Sequence, residues 1–300
     1  MQPTWRQTTL QLLDTTSRIH TGDVLVPFGI DEAYARLCAK DAAIAPLVHL
    51  WRHEKAVVLG SRDAKLPQAA EAVRELEAKG YRTAVRQSGG AAVPLAPGVV
   101  NLSLVMPVGA ADLNPEPFFA QMVELIRAAL GDDGERMNSG EVVGSYCPGT
   151  YDLAIDGYKF CGIAQRRLTR AVAVQAFINA EGCGRAYGEV VQSFYETAAQ
   201  GAAVEQYPQV QPERMASLSE LGVPGGAEWL AARIRKVLHA QAASSFSVLD
   251  VCPPWLAREA ERAPYAARKT ASPGRFLKNR PFLFSAIDQA GQRQVRPSEN

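Results

Sequence analysis

The stretch YDLAIDGYKFCGIAQRR, residues 151–167, decides the fold class. Asp156-Gly157 stands between two runs of strand-forming residues, and such a pair supplies the two positive-φ positions that a two-residue hairpin turn requires. The chain therefore predicts two antiparallel strands here, with AVAVQAFINA (171–180) as a third. Strands joined by a tight turn argue against a doubly wound parallel sheet, whose connections are long crossovers. Neither a GxGxxG fingerprint nor a P-loop occurs to argue otherwise.

Working outward, AVVLGS (56–61) reads as a buried strand, and PQAAEAVRELEAKG reads as a helix opened by Pro67 and stopped by Gly80. YRTAVRQ (81–87) and VVNLSLVMP (99–107) predict strands on either side of SGGAAVPLAPG, with Val100, Leu102, Leu104 and Met106 sharing one face of the second. DEAYARLCAKD (31–41) and PEPFFAQMVELIRAALG (115–131) predict helices, the latter capped by Asn114 or Asp112 and ended by Gly131. EVVQSFYETAA, PERMASLSEL and GGAEWLAARIRKVLHAQAAS continue the helical pattern. The expected architecture is α+β, a mixed or antiparallel sheet flanked by helices, in a catalytic domain over residues 1–250. Residues 251–300, rich in Arg, Pro, Ala and Ser without period, are expected to form a partly irregular tail.

Composition narrows the function classes. Thirty-two basic against 31 acidic side chains leave a net charge of +1, so no global field recruits nucleic acid or an anionic membrane. No apolar run approaches the ~20 residues that span a bilayer, and no secretory leader pattern opens the chain, so a cytoplasmic protein is expected. Five cysteines at irregular spacing and four scattered histidines make neither a disulfide framework nor a zinc site.

One cysteine is out of place for packing. Cys147 lies in the turn-like GSYCPGTYDL (144–153), and Lys159 follows just inside the second arm of the predicted hairpin. A strand of four or five residues and a tight turn bring the chain back near its start, so the amine can approach the thiol. A thiolate is the nucleophilic form of cysteine and a nearby cation favours it, while a desolvated lysine can exchange protons, so the pair is a candidate acyl-transfer dyad. Taken alone, the same residues also read as an inert thiol in a turn and a solvated lysine after a hairpin.

The run Arg86, Ser88, Gly89, Gly90, Ala92, Val93, followed by Gly98 and the strand NLSL, resembles the RxSGGxAV signature of the lipoate-protein ligase and octanoyltransferase superfamily. DGYKFCGIAQRR, with Asp156, Gly157, Lys159, Gly162 and Gln165, resembles its DGxKxxG lysine motif, and GSYCPGTYDL resembles the cysteine motif of octanoyltransferase branches. The combination with AVAVQ is most similar to the octanoyl-[GcvH]:protein N-octanoyltransferases. The resemblance implies a biotin/lipoate ligase-like catalytic domain. It also implies that Cys147 takes an octanoyl or lipoyl group from a lipoyl carrier, the glycine-cleavage H protein, as a thioester. The group then passes to acceptor lipoyl domains of E2 subunits, with Lys159 moving the protons and neither a metal nor ATP as cofactor. Arg86, Ser88, Gly89, Gly90, Ala92, Val93 and Gly162 become the expected substrate-binding residues. Val93, Leu95, Val100, Leu102 and Phe160 are candidate walls for the acyl chain, though each also suits an ordinary core.

Departures from the pattern sharpen this expectation. ATP-using ligases of the superfamily typically carry paired arginines before SGG and a histidine soon after; here the pair is Arg86-Gln87, and Leu95 stands near the histidine's place. Cys161 is a second thiol, expected on the side of the strand that Lys159 occupies. Adjacent Arg166 and Arg167 are expected on opposite faces, leaving one able to meet an acidic lipoyl domain. The competing readings are transfer from octanoyl-acyl carrier protein, an ATP-dependent lipoate ligase, and a catalytically silent carrier-binding protein.

Overall fold

The computed structural model describes residues 9–112, 114–241, 245–249 and 252–262. In chain order its first half comprises β1 (Thr9–Asp14), α1 (Leu25–Lys40), β2 (Leu47–Trp51), β3 (Ala56–Leu59), α2 (Ala69–Ala78), β4 (Arg82–Val85), β5 (Val93–Leu95), β6 (Val99–Pro107) and α3 (Glu116–Leu130). There follow β7 (Met137–Ser139), β8 (Leu153–Ile155), β9 (Tyr158–Leu168), β10 (Ala171–Asn179), α4 (Gly184–Ala198), α5 (Gly226–Gln241), β11 (Ser245–Leu249) and α6 (Pro254–Arg262). An eight-stranded sheet runs β11-β1-β2-β6-β10-β9-β8-β7, and a three-stranded sheet runs β4-β3-β5. β1 is parallel to both neighbours, β3 is parallel to β4, and the remaining pairings are antiparallel. The α+β expectation holds.

Strand alternation sorts the core. Val100, Leu102, Leu104 and Met106 of β6, with Val172, Val174, Ala176 and Ile178 of β10, pack beneath α3 and α5. The opposite face of β10 carries Ala173, Gln175, Phe177 and Asn179. Over one end of that face lie α1 and α6, packed through Tyr34, Cys38, Leu256 and Ala260; over the other lie the small sheet and α4. The functional residues gather at this second end.

The Asp156-Gly157 hairpin forms as read: both residues have positive φ, 52° and 81°, and Ile155 pairs with Tyr158 across a two-residue loop. The register then shifts. Ala154 pairs with Lys159 but Leu153 with Cys161, so Phe160 is the extra residue of a β-bulge. Strict alternation is lost there, and Phe160 and Cys161 both enter the main core.

Other elements differ from the sequence reading. α1 begins at Leu25, earlier than expected, because Pro27 falls in the first turn, where its missing N–H costs nothing. PERMASLSEL is not a helix beyond the short 3₁₀ turn Pro212–Arg214. The N–H groups of Ala216 and Leu218 instead donate to the carbonyls of Lys159 and Asn179 at the ends of the central strands. α5 stops at Gln241 and the next described segment is a strand. Within the segment expected to be partly irregular, residues 254–262 form α6; residues 263–300 lie outside the described residues. Among the described residues no helix is long and apolar enough to cross a membrane.

Candidate active site

Three irregular pieces of backbone meet over Phe177: the loop from Arg86 to Ala92, the loop before β8 that carries Cys147, and the bulge at Phe160. Arg86 organises the first. Only 1% exposed, it donates from Nε to the Gly89 carbonyl (3.1 Å), from Nη1 to that of Val58 (3.2 Å) and from Nη2 to that of Ala91 (2.7 Å). Its guanidinium lies 5.1 Å from the Phe177 ring centroid, a favourable cation–π placement. One side chain thus folds the Ser-Gly-Gly turn around itself. Gly90 has φ +94°, and a Cβ there would come 2.7 Å from both Arg86 Nη2 and Cys147 Sγ, so only glycine fits.

A second network holds the loop from behind. The Tyr195 hydroxyl accepts from the Ala92 N–H (3.2 Å) and donates to Asp63 Oδ1 (2.8 Å), while Asp63 Oδ2 accepts from the Gly60 N–H (2.7 Å). Burial pushes the Asp63 carboxyl up from its ordinary value, and these hydrogen bonds oppose the shift. Gly89 N–H reaches the Gln165 carbonyl at 3.4 Å, and Ser88 Oγ is buried with no partner among the described residues.

Cys147 sits opposite this loop in a left-handed conformation, φ 47°, uncommon for a residue with a side chain. Its Sγ accepts from the Ala91 N–H at 3.1 Å and lies 3.5 Å from Arg86 Nη2. A main-chain N–H and a fixed guanidinium therefore face the sulfur. Cys161 is the contrast. It is buried, and burial, with a further contribution from Asp152, pushes its thiol well up from the ordinary value.

Lys159 and Asp152, each side chain 1% exposed, form an ion pair of 2.8 Å. The same Nζ donates to the carbonyls of Tyr146 and Cys147, both at 2.7 Å, with Ser145 Oγ at 3.4 Å. The lysine thus reaches the backbone of the cysteine, and its hydrogen bonds go there rather than to the sulfur. Burial raises the Asp152 carboxyl, and Lys159 and the Gly149 N–H oppose the shift.

Cys147, Lys159, Gly162 and Val93 line one narrow cavity, closed by Phe160, Phe177 and Met215. Arg86 and Gly90 adjoin its sulfur, while Ser88, Gly89 and Ala92 shape the loop without lining the space. Of the candidate walls, Val93 and Phe160 reach the cavity. Val100 and Leu102 lie in the core beneath α3 and α5, and Leu95 packs within the small-sheet cluster. Arg166 and Arg167 do point apart, but both are engaged internally, Arg166 with Glu32 (3.1 Å) and Arg167 with the Asp112 carbonyl. Sequence reasoning missed Asp152, Asp63, Tyr195 and Phe177. Asp152 alone had a usable signal, since a buried lysine calls for a carboxylate and TYDL offers one beside the cysteine.

The family profile described as Lipoyl protein ligase A/B catalytic domain matches residues 23–239. The chain belongs to this family. Its curated relatives include the octanoyl-[GcvH]:protein N-octanoyltransferase of Geobacillus kaustophilus, 43% identical over 221 residues that cover 73% of this chain and 76% of the relative. The protein of the same name from Exiguobacterium sibiricum is 41% identical over 72% of this chain and 78% of its own length. The fold agrees with solved members of the family. A lipoate-protein ligase A bound with ATP superposes with a TM-score of 0.65 at 19% identity, covering 86% of this chain and 96% of that one. A bi-partite lipoate protein ligase from Thermoplasma acidophilum gives 0.61 at 18% identity, covering 87% and 94%.

Proposed function

We propose that this protein transfers an octanoyl or lipoyl group from a donor lipoyl carrier, a glycine-cleavage H protein, to the lysine of acceptor lipoyl domains, with Cys147 carrying the acyl group as a thioester. The observation that carries the reading is the Cys147 sulfur, held between the Ala91 N–H and the Arg86 guanidinium at a narrow apolar cavity. The names of the curated relatives support the donor and the acyl group. In the first half-reaction the sulfur attacks the carbonyl carbon of the donor amide. The C–S bond forms, the C–N bond breaks, and the thiol proton ends on the departing lysine amine. In the second the acceptor amine attacks the thioester, the C–S bond breaks, and a proton returns to the sulfur. Each buried methylene of the chain contributes about 0.8 kcal/mol to binding. Val93, Phe160 and Phe177 supply apolar surface for it, and Met215, the most adaptable of the lining side chains, can yield to admit it. Five free cysteines suit a reducing compartment, which supports a cytoplasmic location.

The test is intact mass after incubation with an octanoylated H protein, with octanoyl-acyl carrier protein, or with octanoate and ATP. An octanoyl adduct on the wild type that is absent from Cys147→Ala, formed fastest from the H protein, is the expected result. Modification of an added lipoyl domain by Cys147→Ala with octanoate and ATP would mean a ligase and end the proposal.

A further inference from the structure

We infer that Tyr195 is a positioning residue for the nucleophile: its hydroxyl, steadied by Asp63, fixes the Ala91–Ala92 peptide and so aims the Ala91 N–H at the Cys147 sulfur. The inference rests on Cys147 being the thiol that reacts.

The loop cannot aim this N–H from its upstream side. Gly89 and Gly90 precede Ala91, both are exposed, and glycine adopts positive and negative φ about as readily. The direction of the Ala91 N–H is therefore set downstream, by whatever holds the next peptide group. That group is planar, so fixing its two polar atoms fixes its orientation. The Ala91 carbonyl accepts from Arg86 Nη2 at 2.7 Å, and the Ala92 N–H donates to the Tyr195 hydroxyl at 3.2 Å. One pin holds each edge of the peptide.

Of the two pins, the hydroxyl is the one that acts through the loop alone. Arg86 Nη2 also faces Sγ at 3.5 Å, so its loss alters the sulfur directly. Among the described residues the Tyr195 hydroxyl bonds only to Ala92 and Asp63. A hydroxyl has one hydrogen and rotates to suit its surroundings. Donation to Asp63 Oδ1 at 2.8 Å settles that rotation and leaves the lone pairs for the Ala92 N–H. Asp63 braces the loop a second way. Its Oδ2 holds the Gly60 N–H at 2.7 Å, and Gly60 lies so close under the loop that a Cβ there would collide with the Gly90 carbonyl oxygen. The phenol ring is itself fixed, edge-on to Phe194 at 5.1 Å and stacked on Tyr207 at 5.8 Å. Carboxylate, hydroxyl and peptide thus reach from the end of β3 and from α4 to the nucleophile's partner without bonding to the nucleophile.

A network that served the fold alone would cost stability when broken and leave the thiol unchanged. A positioning network costs both.

The experiment is the rate of Cys147 alkylation by iodoacetamide, located by peptide mass, in the full chain near neutrality and well below the melting temperature of every variant. Tyr195→Phe keeps the ring and its stacking and removes only the hydroxyl. It is expected to react about fivefold more slowly than wild type, the factor that one ordinary hydrogen bond is worth. Gly90→Ala displaces the same N–H directly. The double variant is therefore expected to react no more slowly than Gly90→Ala alone, since two changes that act through one contact do not add. Leu76→Ala opens a cavity in the hydrophobic cluster that contains Tyr195 and takes no part in these hydrogen bonds; it is expected to melt lower and to react within about twofold of wild type. A Tyr195→Phe rate equal to wild type's, a double variant slowed by the product of the two single effects, or an equal loss in Leu76→Ala overturns the inference. Should Tyr195→Phe not fold, Asp63→Asn, which loosens the hydroxyl's rotation, takes its place in the same measurement. Alkylation needs no carrier, so if no carrier ever acylates the wild type the transfer reading fails on its own, and these rates still decide the role of Tyr195.

Discussion

Replacing Gly90 by alanine perturbs the sulfur's environment with a single methyl group. The added Cβ would lie 2.7 Å from Cys147 Sγ and 2.7 Å from Arg86 Nη2, where non-bonded heavy atoms prefer roughly 3.5–4.0 Å. The loop must therefore retreat by about 1 Å. That retreat stretches the 3.1 Å contact from the Ala91 N–H to Sγ beyond hydrogen-bonding range. A hydrogen bond to a charged group contributes about 1.5–3 kcal/mol, so the thiolate should react about ten- to a hundredfold more slowly. The left-handed backbone at φ +94° adds about 1–2 kcal/mol of strain to a residue with a side chain, a cost that the domain can absorb. The assay is the iodoacetamide rate at Cys147 at a single pH near neutrality, set beside thermal melts of both proteins. A Gly90→Ala variant that reacts within twofold of wild type would show that the Ala91 N–H does not activate the sulfur, and the account of the site would be wrong.

Two further outcomes follow from the buried networks. Tyr195→Phe removes the hydroxyl between Asp63 and the Ala92 N–H and leaves both under-satisfied; it should cost about 1–3 kcal/mol, visible as several degrees in Tm, and an unchanged melt would refute the network. His53 is held neutral by desolvation, its value lowered from 6.5 to about 4, with Gly22's carbonyl opposing and His20 and Arg82 adding to the shift. The unfolded chain takes up the proton first, so this contribution is fully present above pH 6.5 and is lost as pH falls towards 4. Urea midpoints at pH 7.5 and 5 should separate more for wild type than for His53→Asn, and parallel shifts would contradict the assignment.

What was legible in the sequence was local. Asp156-Gly157 dictates its own turn, Gly80 ends α2 and alternation exposes the two faces of β6, because each signal acts within a few residues. β1 and β2 lacked such marks. LVHLW is buried along its whole length, and a run buried on both faces shows no period. Cys147 and Lys159 were found through motifs, but the bulge that aims the lysine and the partners that hold the loop were not. Asp63, Tyr195 and Phe177 reach the site from three distant elements, and nothing near them in the chain encodes that meeting. The expectation that the Lys159 amine can approach the thiol rested on hairpin geometry. That geometry was right about proximity and could not specify which atom of Cys147 the amine would reach.

The placement of β1 between β2 and β11 also bears on how the protein is made. Pairing of Thr9 with Ser245 joins residues from opposite ends of the described chain, whereas Arg86, Cys147, Lys159 and Phe177 all precede β11. A ribosome therefore releases the whole thiol site before the strand that completes this side of the sheet. During that interval β1 offers an open row of amide and carbonyl groups, a template for pairing with other nascent chains. The late arrival of β11 adds nothing to the chemistry; it covers β1 and passes the exposed edge to a five-residue strand.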